Sequence, residues 1–256
     1  MPNVKTETLV TTFAANIAEQ DYSSMFDPIE ASKGSVSIFD EKVRPIKKMF
    51  FTTVDPETLR FSRFGDSKMG AGARNLNITE FENKMLDVLI PQMARSIEVA
   101  FWNDIMALAG DVVPAGNKIA KAEGGLTVSN ILNEVEKVWK AIPSQVRATG
   151  NAVIYADEAI KDLIVLANLH DDYKDRFVVN GDSVKFLGVD MLFVPLAKDA
   201  MFAGNKTEVV FATDVLNDEA TIEINKVNNY SDILFYKSVY TRDKAIVIPA
   251  QKILYV

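Results

Sequence analysis

The sequence predicts an α+β chain, with helices and strands interspersed. Three observations carry that prediction. An apolar recurrence every four residues runs through the stretch after Asn77. Short runs rich in Val, Ile, Phe and Tyr crowd the last third of the chain. Ahead of both lies a segment with aromatic and basic residues but too few apolar ones for a core of its own.

The bulk properties narrow the function. The chain has 256 residues, of which 48% are hydrophobic and 25% charged, enough for one large domain or two small ones. It has no cysteine, which excludes disulfides, thiolate metal sites and a cysteine nucleophile and fits a reducing compartment. The first twenty residues have no basic stretch followed by an apolar one, so they do not read as a signal peptide. No segment approaches the roughly 20 apolar residues that span a bilayer, so no membrane partner is expected. A net charge of −7 disfavours tight binding to nucleic acid through phosphate neutralisation. The charge is uneven: from Lys33 to Arg74 nine Lys/Arg face five Asp/Glu, a local +4 that leaves −11 on the rest.

In chain order, residues 1–34 read as an arm, with Val10, Phe13, Ala14 and Ile17 spaced for one side of a short helix. Residues 35–74 read as a long basic hairpin. Its strands are Met49–Thr53 and Thr58–Phe64, and the turn is Val54-Asp55-Pro56-Glu57. Gly65 to Arg74 is a joint by composition. The long helix comes next. Thr79 and Glu82 have capping-box spacing, and Phe81, Met85, Leu89, Met93, Ile97, Phe101 and Ile105 form the stripe, widened by Val88, Ala100 and Leu108. Gly110 is the expected stop, and Pro91 is expected to kink or split the helix.

After Gly124-Gly125, a second helix is predicted from Thr127 to Pro143, with Ile131, Val135, Val138 and Trp139 inward. Asn151–Tyr155 reads as a buried strand running into a helix, Asp157–Leu169. The segment 170–181 is polar and loop-like, and the remainder is β-rich.

No catalytic, cofactor or metal site stands out. The single histidine, His170, sits beside Asp171, Asp172 and Asp175, without the spacing of a cation-binding loop, and reads as a solvated turn. GAGARN at Gly70–Asn75 lacks the third glycine of a dinucleotide fingerprint, and there is no phosphate-binding G-x-x-x-x-G-K-[ST] motif. The apolar stripe of the long helix reads as core rather than as a ligand groove. The basic residues Lys42, Arg44, Lys47, Lys48, Arg60 and Arg63 admit three readings: a nucleic-acid contact, a solvated edge, or an inter-subunit contact with an acidic neighbour. The acidic body of the chain favours the third.

The order of these elements resembles the major capsid protein family of tailed bacteriophages, the Hong-Kong-97 fold. ITEFENKMLDVLIPQMARSIEVAFWNDI resembles the spine helix of that family, and NAVIYADEAIKDLIVLAN its axial strand and helix. VKFLGVDMLFVPLA resembles a later axial strand, and YKSVYTRDKAIVIPAQKILYV a closing pair of strands with a polar turn. The resemblance implies an N-terminal arm over 1–34, an extended E-loop hairpin over 35–74 and a peripheral domain with the spine helix over 75–125. An axial domain over 126–230 would follow, and C-terminal strands over 231–256 would return to the peripheral domain.

The implied function is structural and not enzymatic. Homo-oligomeric pentamers and hexamers would build an icosahedral shell around double-stranded DNA, without sequence-specific binding and without a cofactor. The place would be the virion, with assembly in the bacterial host cytoplasm. A portal is expected, and a separate scaffolding protein too unless an extension is removed ahead of Met1. The alternatives are an encapsulin-type nanocompartment shell protein and an α+β binding protein or enzyme with an unrecognised site.

Overall fold

A computed structural model of the chain describes residues 1, 4, 7–16, 35–55, 78–169, 177–180, 183–214, 222–227 and 233–256. The chain forms two compact units, each assembled from three stretches. One contains Met1–Thr6, Arg44–Asp104 and Phe211–Asp243; the other contains Glu7–Val43, Ile105–Val210 and Lys244–Val256.

The second unit holds the main core. Its sheet has seven strands: β4 (Lys118–Ile119), β5 (Ala152–Asp157), β6 (Phe177–Asn180), β7 (Ser183–Phe186), β8 (Val189–Val194), β9 (Met201–Asn205) and β13 (Ile253–Tyr255). Their spatial order is β4-β13-β9-β5-β8-β7-β6. At the centre, β5 lies parallel to β8 and antiparallel to β9. All six residues of β5 are buried, as its unbroken apolar run requires. Three helices contribute to the same core: α2 (Ile131–Ala141), α3 (Ser144–Ala148) and α4 (Glu158–Asn168). Ile131, Val135 and Val138 of α2 and Ile160, Ile164 and Ala167 of α4 join Ile154, Phe186, Met191 and Ile253 there. Their spacing of three and four residues puts each set on one helix face.

β7 and β8 turn at Leu187-Gly188, both with positive φ (46° and 84°), as a two-residue hairpin loop of matching twist demands. At the end of the chain, the Tyr255 hydroxyl donates to Glu134 Oε2 (3.0 Å) and accepts from the Ala122 N–H (3.0 Å). Lys137 closes on the other Glu134 oxygen at 2.7 Å, so this buried carboxylate is paired. Burial pushes the phenols of Tyr255 and Tyr155 up to about 12.

The same unit includes a two-stranded antiparallel ribbon of β1 (Thr8–Asn16) and β2 (Ser35–Val43). This corrects the helix expected over Val10, Phe13 and Ala14; Ile17 lies outside the described residues. TLVTTF has Thr and Val at four of six positions, and their branched side chains favour an extended backbone.

The first unit holds a four-stranded sheet of β3 (Ile46–Val54), β10 (Val209–Ala212), β11 (Ile222–Lys226) and β12 (Leu234–Ile246). The order is β10-β12-β11, and β3 pairs antiparallel with β12. β12 runs unbroken through Arg242-Asp243-Lys244, where a polar turn was expected. Within this unit Arg242 reaches Asp104 at 3.0 Å, and the backbone N–H of Arg44 donates to the Asp243 carboxylate at 2.6 Å. Those charges are held by partners within the unit rather than by a bend.

The long helix is α1, Ile78–Val112. Its 35 residues span about 52 Å. Pro91 does not split it. Proline removes one backbone bond, but Pro91 and Asp87, whose carbonyl loses its donor, are both exposed to water. Gly110 does not end the helix; Pro114 does, by biasing Val113 away from helical geometry. The Lys118 ammonium donates to the Gly110 carbonyl (2.7 Å), satisfying one of the last acceptors. Met85, Leu89, Met93, Ile97 and Phe101 are half-buried and Ile105 is buried, as the stripe predicts, whereas Val88 is exposed.

Candidate functional site

β3 carries the basic and aromatic residues at the centre of the predicted hairpin. Adjacent strand residues point to opposite faces, so Lys47 and Lys48 diverge. Lys47 shares its face with Met49 and Phe51, opposite Thr241, Val239 and Lys237 of β12. Lys48 shares the other face with Phe50, opposite Tyr240 and Ser238. The aromatics stack across the ladder, Phe50 on Tyr240 at 5.4 Å and Phe51 on Phe235 at 5.7 Å. Even so, Met49 is 63% exposed and Phe51 55%. One edge of β3 bonds to β12, and the other has no ladder partner among the described residues.

The β1–β2 ribbon has the same character. Leu9, Thr11, Phe13 and Ala15 share a face with their partners Lys42, Asp40, Ile38 and Val36. Phe13 and Ile38 stand directly opposite each other and are 65% and 61% exposed. Leu9 and Val36 extend the apolar face. A two-stranded ribbon is marginal in water, and one with an apolar face uncovered needs a surface to lie on.

The predicted contact residues fall into separate places. Lys42, on the ribbon, pairs with Glu7 at 3.0 Å in an exposed ion pair. Arg44, Lys47 and Lys48 belong to the other unit and are exposed. Arg60, Arg63, the return strand expected over 58–64 and His170 lie outside the described residues. Reasoning from sequence missed the exposed apolar residues Leu9, Phe13, Val36 and Ile38. The alternation in TLVTTFAAN and SVSIF was the available signal.

The first unit also has an apolar cleft of about 210 Å³ between α1 and its sheet, bounded by Phe50, Leu89, Met93, Ile222 and Tyr236. Thr52, Gln92, Lys237 and Ser238 also line it, but the surface it offers is mostly apolar. Among the described residues, no three His, Asp or Glu side chains gather as a metal site would require. No described helix is long and apolar enough to cross a membrane.

No family model matches the chain, and no curated protein matches it by sequence. Solved structures do match. The capsid of a native GTA particle aligns over 100% of this chain and 86% of its own, with 13% identity and a TM-score of 0.57. The capsid of Staphylococcus phage Andhra aligns over 99% and 81%, with 11% identity and a TM-score of 0.56. The holo-SrpI encapsulin complex of Synechococcus elongatus PCC 7942 aligns over 86% and 77%, with 13% identity and a TM-score of 0.54.

Proposed function

We propose that this chain, which has the Hong-Kong-97 fold of tailed-phage major capsid proteins, is a structural subunit of a virion shell and not an enzyme. The observation that carries the reading is that two strand systems leave apolar side chains exposed. Phe13 and Ile38 mark one system, and Met49 and Phe51 the other. A chain acting alone gains nothing from such surfaces, whereas a shell covers them with neighbouring copies.

In this reading the seven-stranded unit is the axial domain, and it gathers around local symmetry axes into pentamers and hexamers. The β3 strand and the segment after it form the base of the E-loop. The ribbon is the N-terminal arm that ties neighbours together. Each contact is modest, and closure engages all of them at once. Lys47 and Lys48, with Arg60 and Arg63, meet the acidic body of the next subunit, and opposite fields orient the encounter within about 8–10 Å at physiological salt. The shell encloses double-stranded DNA with the aid of a separate scaffold and portal, and the net −7 keeps the DNA from adhering to the wall. The GTA and phage capsid matches span nearly the whole chain and the encapsulin match 86% of it, which favours a coat over a nanocompartment.

Reversal of Lys47, Lys48, Arg60 and Arg63 to Glu tests the reading. Sedimentation should show assembly lost while circular dichroism shows the fold kept. Normal shells from that variant would remove the role of the basic segment.

A further inference from the structure

The segment 141–151, AIPSQVRATGN, leads from α2 through α3 towards β5 in the seven-stranded unit, and Arg147 is its only charged residue. The Arg147 guanidinium lies over the ring of Trp139, its central carbon 4.1 Å from the ring centroid. Trp139 is anchored in turn, because it packs against the core at the end of α2. A planar cation on a fixed aromatic ring is attracted by the face of the ring and gives up much of its rotational freedom before any partner arrives.

The chain itself supplies no counter-charge. Among the described residues Arg147 has no ion-pair partner. The two acids of α2 are engaged elsewhere, Glu134 with Lys137 and Tyr255, and Glu136 with Lys140 at 2.9 Å. Arg147 Nε and Trp139 Nε1 are buried donors that find no acceptor among the described residues. Buried polar atoms in folded proteins are nearly always paired, so two unmatched donors in one stack point to an acceptor from outside the chain. Arg147 is only half-buried, and Ser144, Ala148 and Thr149 beside it in sequence are exposed, small and uncharged. A second surface can therefore come close to the guanidinium.

The planar fork of a guanidinium fits a carboxylate or a phosphate. A single cation among neutral residues is a poor track for a phosphate backbone, which needs several in a row. Carboxylates, in contrast, are in surplus: 35 Asp/Glu exceed 28 Lys/Arg, so every copy of the chain carries acids with no cation of its own. We propose that the Trp139–Arg147 stack is a docking site for an Asp or Glu side chain of a second copy of this chain. The carboxylate takes the accessible edge of the guanidinium while the indole holds the cation in place from its face. The inference rests on the shell reading, which supplies the second copy.

Carbodiimide coupling tests it, since the reagent joins amines to carboxylates that touch them. The sample is a mixture of heavy-isotope wild-type chains and unlabelled Arg147→Lys chains, assembled together. The expected product is a branched tryptic peptide joining unlabelled position 147 to a heavy Asp or Glu peptide. Coupling at position 147 within one chain only, or none at all, overturns the site. Arg147→Gln provides a second readout. Sedimentation should show the concentration needed for assembly rising by about tenfold, with circular dichroism unchanged. A Gln variant that assembles like the wild type overturns the site and leaves the shell reading standing, and one that assembles normally but retains less DNA assigns Arg147 to phosphate instead. A wild-type chain that never associates overturns both.

Discussion

β5 and the β1–β2 ribbon are built from similar residues and end in opposite environments. β5 puts Ala, Val, Ile and Tyr between β8 and β9 and buries every residue. The ribbon puts Leu, Val, Phe and Ile into an equally regular ladder, yet leaves Leu9, Phe13, Val36 and Ile38 more than half exposed. Strand propensity made both; what differs is the layer over them. β5 has helices of its own unit packed into the same core, whereas the apolar face of the ribbon stays exposed. The comparison teaches that β-rich patterning reports a strand, whereas the supply of partner faces decides whether that strand is core or interface.

The sharpest way to break the comparison is to truncate both regions. Ile154→Ala should cost about 2–5 kcal/mol in urea unfolding, because it opens a cavity in a layer that cannot collapse. Ile38→Ala should cost the isolated chain no more than about 0.5 kcal/mol. Equal costs would make the ribbon part of the core of the chain itself. A smaller effect should come from alkali. Tyr155 and Tyr255 are both buried, with folded values of about 12 against about 10 in the unfolded chain. Their contribution is complete below pH ~10 and is lost as pH rises through ~12, so stability falls across that window by roughly 1–3 kcal/mol per group. Tyr255→Phe should make the decline shallower and lower the plateau by about 1–3 kcal/mol, since it strands the Glu134 oxygen and the Ala122 N–H. The smallest effect on stability should come from Phe13→Ser with Ile38→Ser. The monomer should be unchanged within about 0.5 kcal/mol while sedimentation shows assembly lost.

Much of the fold was legible in the sequence. The stripe from Met85 to Ile105 announced α1, and NAVIY followed by Asp157 announced the central strand and its helix. The failures have physical causes. Val10, Phe13 and Ala14 fit a helical spacing by coincidence, and their branched neighbours and the pairing with β2 decided otherwise. Nothing in AMFAG marks β9 as a separate strand, since it lacks branched residues, and its place between β5 and β13 is what makes it one. Gly110 was misread as a stop because a glycine only permits a helix to end, whereas Pro114 compels it by biasing Val113 away from helical geometry. The basic residues were visible one by one, but the opposite directions of Lys47 and Lys48 were not. Nor was the stack of Arg147 on Trp139, which only the turn from α2 into α3 brings together.

The most direct test is electron microscopy of the purified wild-type chain, concentrated at near-physiological salt. The account predicts closed polyhedra, tubes, or rings of five and six subunits, with the apolar ribbon covered by a neighbour. A discrete monomer or dimer at every concentration would contradict it.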